Sequence, residues 1–293
     1  ITCQLTMTSQ TPHGDISRTP VILKGMIIAN VILFAVSLLF SGKDIHLSMN
    51  PLHAFAPASD VLRFLGAAGV SASKVPKLDV WWTFITANWL HGSLVHLAFN
   101  MVALRQIAPL VIAEYGSFRM FSIYTLSGIT GFMLSYKATV YLTVGASSGI
   151  CGLIGAALFF GRTCKTDFAK AVYRQTSGWV VSLILIGFLI PNINNWSHGG
   201  GLAGGMIAAW ILGYARKRKE HLIDRIISVI FLLLTLILLG KSIITGFILF
   251  RFFDIVKIGP ARYFEKNFSG GAGVVLDDVM AGILTAVVLR GLH

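Results

Sequence analysis

Apolar runs long enough to cross a lipid bilayer recur along most of this 293-residue chain, and no other feature restricts its fold as strongly. A window of about 18 or more apolar residues reads as a spanning helix, because roughly 20 residues at a rise of 1.5 Å cover the hydrocarbon layer. Hydrophobic residues make up 55% of the sequence and charged ones only 12%, a balance that a soluble core of this length does not need. Spanning helices are expected near residues 21–40, 91–113, 118–136, 147–161, 178–190, 198–214 and 226–250. The amino end carries no short apolar stretch followed by a small-residue cleavage site, so its first run is expected to be retained as a helix. The connection 41–82 holds Pro51, Pro57, Pro76, Gly66 and Gly69 but also the apolar stretch 61–65. It is too apolar to be merely solvated, which points to a partly embedded interfacial structure.

A net charge of +12 raises the question of nucleic acid, yet the Lys and Arg residues cluster beside apolar segments and no basic domain stands free of them. Nucleic acid is therefore not an expected partner, and membrane orientation accounts for the charge. Arg162, Lys165, Lys170 and Arg174 follow the fourth span, and Arg216, Lys217, Arg218, Lys219 and Arg225 follow the sixth, whereas the third-to-fourth connection holds only Lys137. By the positive-inside rule the amino terminus is cytoplasmic, and the second, fourth and sixth spans run from outside to inside. The three cysteines, Cys3, Cys151 and Cys164, offer neither a disulfide framework nor zinc-ligand spacing.

Those three parallel spans are the ones whose first turns carry polar residues: His91, His96 and Asn100 on the second, Ser147 on the fourth and His198 on the sixth. A polar side chain inside a membrane is costly, roughly 2.5–3.5 kcal/mol when charged, so several at one depth argue for a site. Hydrolysis of an amide by serine needs a base within hydrogen-bond reach of the hydroxyl and donors aimed at the developing oxyanion. Ser147 lies in Gly145-Ala146-Ser147-Ser148-Gly149, where small neighbours allow close backbone approach and a helix start supplies unpaired N–H groups. Glycines after His198, together with Gly149, Gly152 and Gly155, remove bulk between the fourth and sixth spans and would bring His198 to Ser147. His96 and Asn100 are four apart, hence on one helix face, and can donate to the oxyanion. His91 is expected to be structural, bonding the loop before it. Ser148 lies about 100° around the helix from Ser147, so only one of the pair can face His198. A Gly-x-Ser-x-Gly pattern alone is weak in a chain with 30 glycines, and serines often bond back to their own helix. The convergence of Ser, His and Asn from three spans carries the assignment.

The string His91-Gly-Ser-Leu-Val-His96-Leu-Ala-Phe-Asn100-Met101, then Tyr115-Gly116 with Arg119, Tyr124 and Ser127-Gly128, then Gly145-Ala146-Ser147, and finally Asn195-Trp196-Ser197-His198 resemble the rhomboid family of intramembrane serine proteases. The resemblance covers about residues 22–214. It implies a Ser147–His198 dyad without carboxylate, cofactor or metal, an oxyanion site from His96, Asn100 and the Ser147 amide, Gly145 as a structural residue near the site, and cleavage of transmembrane protein substrates near the outer face. Two positions depart from the family pattern: Thr83 follows Trp82 where the family has Arg, and Cys151 stands where the family has an aromatic that packs on the catalytic histidine.

Residues 246–293 resemble the end of phosphatidylglycerophosphatase A, a magnesium-dependent lipid phosphatase in which Asp277 and Asp278 would belong to an acidic site. The other acidic motifs of such an enzyme are missing, and the preferred account is a remnant forming a hydrophobic tail. The fold class expected is an all-α polytopic membrane protein with a six-helix rhomboid core, a seventh helix and this short tail. The expected division is a cytoplasmic segment at 1–20, the rhomboid core at 21–215, a basic loop and seventh helix at 216–250, and the tail fragment at 251–293. The expected location is the bacterial inner membrane. The alternatives weighed are a catalytically inactive rhomboid-like protein that binds membrane clients, and a lipid phosphatase.

Overall fold

The computed structural model describes residues 20–48, 54–70, 81–190, 193–213, 220–256, 279–285 and 287–288. The protein is an all-α polytopic membrane protein. Its described helices are α1 (Val21–Ser41), α2 (Ser59–Leu65), α3 (Thr83–Thr86), α4 (Leu94–Tyr115), α5 (Ser117–Lys137), α6 (Ser147–Thr163), α7 (Asp167–Leu189), α8 (Asn195–Leu212) and α9 (Leu222–Val256), with a further helical stretch at 279–285. Among them α1, α4, α7 and α9 are long and apolar enough to cross a membrane by length and composition alone. The shorter, glycine-rich α6 is almost wholly enclosed by the others, while α8 buries one glycine-rich face.

The centre is α5, α6 and α8, packed closely on one another through glycines and small hydroxyl side chains. A Cβ on Gly205 of α8 would fall within 2.4 Å of Gly152 Cα on α6, so these two backbones touch directly. Membrane helices gain from such close van der Waals packing because lipid supplies little hydrophobic drive between them. Around this centre Leu104, Ile107, Val111, Tyr115, Met120, Ile123, Tyr124, Leu153 and Phe160 form the enclosed apolar core. Its hydroxyls are matched: Tyr115 Oη donates to Ala156 O at 2.9 Å and Tyr124 Oη to Asn88 O at 3.0 Å.

Single-residue connections keep α4 and α5 antiparallel. Gly116 joins them at φ +95°, a conformation that favours glycine. Carboxylates just before and at the start of α9 close this junction. Glu220 Oε1 accepts from the Phe118 and Arg119 amides at 2.7 and 3.2 Å, and Arg119 Nη2 meets Asp224 Oδ2 at 2.7 Å with both side chains enclosed. Thus α9 is tied to the start of α5, and it also packs on α2 and α3.

The connection 41–82 is structured where described. Here α2 buries Leu62, Phe64 and Leu65 against Leu90, and residues 68–70 pair with the segment before α6 through Ala68–Thr143 and Val70–Val140 backbone bonds. Arg63 donates from Nη2 to Tyr141 O at 2.9 Å and lies 4.1 Å above the Tyr141 ring. The loop is therefore fastened through Arg63, in a chain that has Thr83 after Trp82.

The last span, expected at 226–250, runs from Leu222 to Val256, and the start of the fifth differs by a larger margin from the sequence expectation. The fifth span begins at Asp167, eleven residues before 178, because Thr166 caps it by accepting from the Ala169 amide at 3.1 Å. Lys170 and Arg174 consequently lie on the first turns of α7, not in a loop. Apolar windows miss a helical start that is polar.

Candidate active site

Helices α4, α6 and α8 run in the same direction, since α5 and α7 each reverse the chain between them, and their first turns meet at one end of the molecule. Ser93 caps α4 by accepting from the His96 amide at 3.2 Å. Asn194 caps α8 by accepting from the Ser197 amide at 3.1 Å. By contrast α6 opens at Ala146 with no side-chain cap. The amides of its first turn have no intrahelical acceptor and the positive end of the helix faces the site. Ser147 is the first residue of that turn.

His198 Nε2 lies 3.0 Å from Ser147 Oγ. With the proton of the neutral ring on Nδ1, Nε2 accepts the serine hydroxyl, which is the arrangement of a nucleophile and its base. His198 Nδ1 is buried, and among the described residues neither a carboxylate nor any other hydrogen-bond partner stands behind it. Ser148 points elsewhere: its Oγ is buried, 3.2 Å from both the Ser127 and the Ser197 carbonyl oxygens. It links α6 to α5 and α8, while its neighbour meets the histidine.

The other sequence-derived residues gather beside this pair. Asn100 Nδ2 donates to His96 O at 2.9 Å, one turn back on α4, which leaves its second amide hydrogen for another acceptor. Gly145, two residues before Ser147, passes against them at φ +130°. A Cβ there would lie 2.6 Å from His96 Cε1 and 3.7 Å from Asn100 Nδ2, so the approach of α4 to the Ser147 segment requires glycine. Gly145 N–H is held by Ala87 O at 3.0 Å. His91 is fully enclosed, its ring packed edge-on to His96 with centroids 5.2 Å apart. Cys151 is buried one turn beyond Ser147. Asp277 and Asp278 lie outside the described residues, so nothing structural bears on the acidic site that the phosphatase resemblance implies or on the preferred remnant reading. Sequence reasoning missed Asn194, Glu220 and Asp224; a capping pattern three residues before Ser197 is the one local signal that pointed to any of them.

The fold and site are those of a membrane bundle in which three helix starts bring a serine, two histidines and an asparagine together at one end. Residues 78–215 match the family described as Rhomboid domain. This chain belongs to the rhomboid family. It is 35% identical over 149 residues to rhomboid protease GluP of Bacillus subtilis (strain 168), a match covering 51% of this chain and 29% of GluP. It is 29% identical over 223 residues to RHOMBOID-like protein 1 of Arabidopsis thaliana, covering 69% of this chain and 57% of that protein. The rhomboid protein YdcA of Bacillus subtilis (strain 168) is 30% identical over 141 residues, 47% of this chain and 71% of YdcA. The chain thus spans less than two thirds of the length of GluP and of RHOMBOID-like protein 1.

Proposed function

We propose that the protein is an intramembrane serine endopeptidase that hydrolyses peptide bonds in or near the transmembrane segments of other membrane proteins. The observation that carries this is the 3.0 Å separation of Ser147 Oγ and His198 Nε2. Ser147 Oγ attacks the scissile carbonyl while His198 takes its proton. The tetrahedral oxyanion is met by the Ser147 amide at the helix start and by donors from His96 and Asn100. His198 then protonates the leaving amine, an acyl-enzyme on Ser147 remains, and water activated by the same imidazole releases it.

Ser147 and His198 are half-buried among the helix starts, and a carbonyl is open to attack there only when its backbone is extended and freed from helical hydrogen bonding. A transmembrane segment with weak helical character near its end supplies that chemistry. The same proposal places the amino terminus in the cytoplasm of a bacterial inner membrane, with residues 21–215 as the catalytic unit and 251–293 as a remnant without phosphatase activity. The supporting feature for orientation is the basic stretch Arg216 to Lys219 after α8.

The test is cleavage of a single-span substrate in proteoliposomes. Ser147→Ala and His198→Ala each abolish it, whereas Ser148→Ala retains appreciable turnover. Full turnover by Ser147→Ala, with loss in Ser148→Ala, would move the nucleophile by one residue. No turnover by wild type against a panel of spans, with clients still captured, would favour the client-binding alternative.

A further inference from the structure

Asn194 caps the helix that carries His198 and also bonds to the segment that leads into Ser147. Its Oδ1 caps α8 through the Ser197 amide at 3.1 Å, and its main-chain carbonyl accepts the His198 amide at 3.2 Å. From the same side chain, Nδ2 donates to Thr143 Oγ1 at 3.0 Å and also to Ser135 Oγ. Thr143 lies four residues before Ser147, and its own backbone is held in both directions by Ala68, at 2.8 and 3.1 Å. One amide therefore fixes the start of the helix that carries His198 to the segment that delivers Ser147, and to the end of α5 between them.

An N-cap needs only an acceptor, and serine, threonine or aspartate would serve. The donors that Asn194 sends across to Thr143 and Ser135 are surplus to capping. They bear on the distance between two helices that no covalent link or carboxylate sets. We propose that Asn194 is a positioning residue, holding Ser147 and His198 at reacting distance; this rests on the assignment of that pair as the catalytic dyad. A misplacement of about 1 Å in such a pair costs on the order of a hundredfold in rate. The loss should fall on kcat, because substrate binding elsewhere in the bundle does not use this contact.

The experiment compares kcat, KM and melting temperature for Asn194→Ser, Thr143→Val, the double variant and Asn194→Asp on a single-span substrate in proteoliposomes. Serine keeps a capping oxygen but is too short to reach Thr143 and Ser135. The expected result is a kcat lower by about ten- to a hundredfold in Asn194→Ser, with KM and melting temperature close to wild type. Thr143→Val moves in the same direction, and the double variant is no worse than the poorer single one, since the bond that Thr143→Val removes is one of the two that Asn194→Ser removes. Asn194→Asp recovers most of the rate, because its carboxylate caps α8 and accepts from both hydroxyls. Wild-type kcat in Asn194→Ser, or losses that multiply in the double variant, would overturn the role. If Asn194→Ser does not fold, Thr143→Val combined with Ser135→Ala, which removes the same two links, decides by the same criteria. Ser147→Ala runs alongside: its full activity would sink the dyad itself, while an inactive Ser147→Ala beside a fully active Asn194→Ser would sink only the role of Asn194.

Discussion

Arg119, at the start of α5, and Asp224, at the start of α9, form an ion pair of 2.7 Å with side-chain exposures of 0% and 2%. Removing one member of an enclosed pair leaves the other charged and desolvated, at a cost of roughly 3–5 kcal/mol. Asp224→Ala is therefore expected to lower thermal stability in detergent substantially. A chain truncated after Arg218 is expected to do the same, since it loses Glu220 as well. Differential scanning measurements of the two variants check this. An unchanged melting temperature in Asp224→Ala would show that Arg119 finds another anion.

Asn100→Ala is expected to lower turnover by about 10² to 10³ with little change in KM, because the donor counts most once charge develops on the substrate oxygen. A second donor from His96 would soften the loss toward the smaller figure. Steady-state kinetics on a single-span substrate decide it. Wild-type kcat in Asn100→Ala excludes the oxyanion role.

Gly145→Ala forces a methyl to 2.6 Å from the His96 ring at a backbone angle of φ +130°. Either α4 moves away from the Ser147 segment or the segment shifts. Both alter the oxyanion site before they alter the dyad. The expectation is a folded, membrane-inserted protein whose kcat falls at least tenfold, by analogy with other misplaced donors. A fully active Gly145→Ala would mean that the close approach of α4 is not needed for catalysis.

Much of this arrangement was legible in the sequence. Ser147, His198, His96 and Asn100 stood out because polar residues in apolar helices are costly, and their shared end followed from helix order and charge alone. That only one of Ser147 and Ser148 can face His198 followed from helical rotation, and the two hydroxyls do point different ways. The start of α7 was not legible from apolar windows, since Thr166 and the charged turn after it are polar. Nor was the Arg119–Asp224 pair, whose members are 105 residues apart. Asn194 escaped for a related reason: its cap is local, but its bonds to Thr143 and Ser135 span 51 and 59 residues.

A mechanism run by Ser147 and His198 uses no metal ion. Cleavage should be unaffected by millimolar EDTA, measured after dialysis of the purified protein. Inhibition that is restored by adding back a divalent cation would contradict the dyad as drawn.

The most direct measurement of the central claim is labelling by a fluorophosphonate probe, which reports an activated serine without needing the natural substrate. Detergent-purified wild-type protein should be labelled, with the adduct located on Ser147 by peptide mass spectrometry, and both Ser147→Ala and His198→Ala should remain unlabelled while Ser148→Ala labels normally. An adduct on any other serine, or undiminished labelling of His198→Ala, would contradict the account.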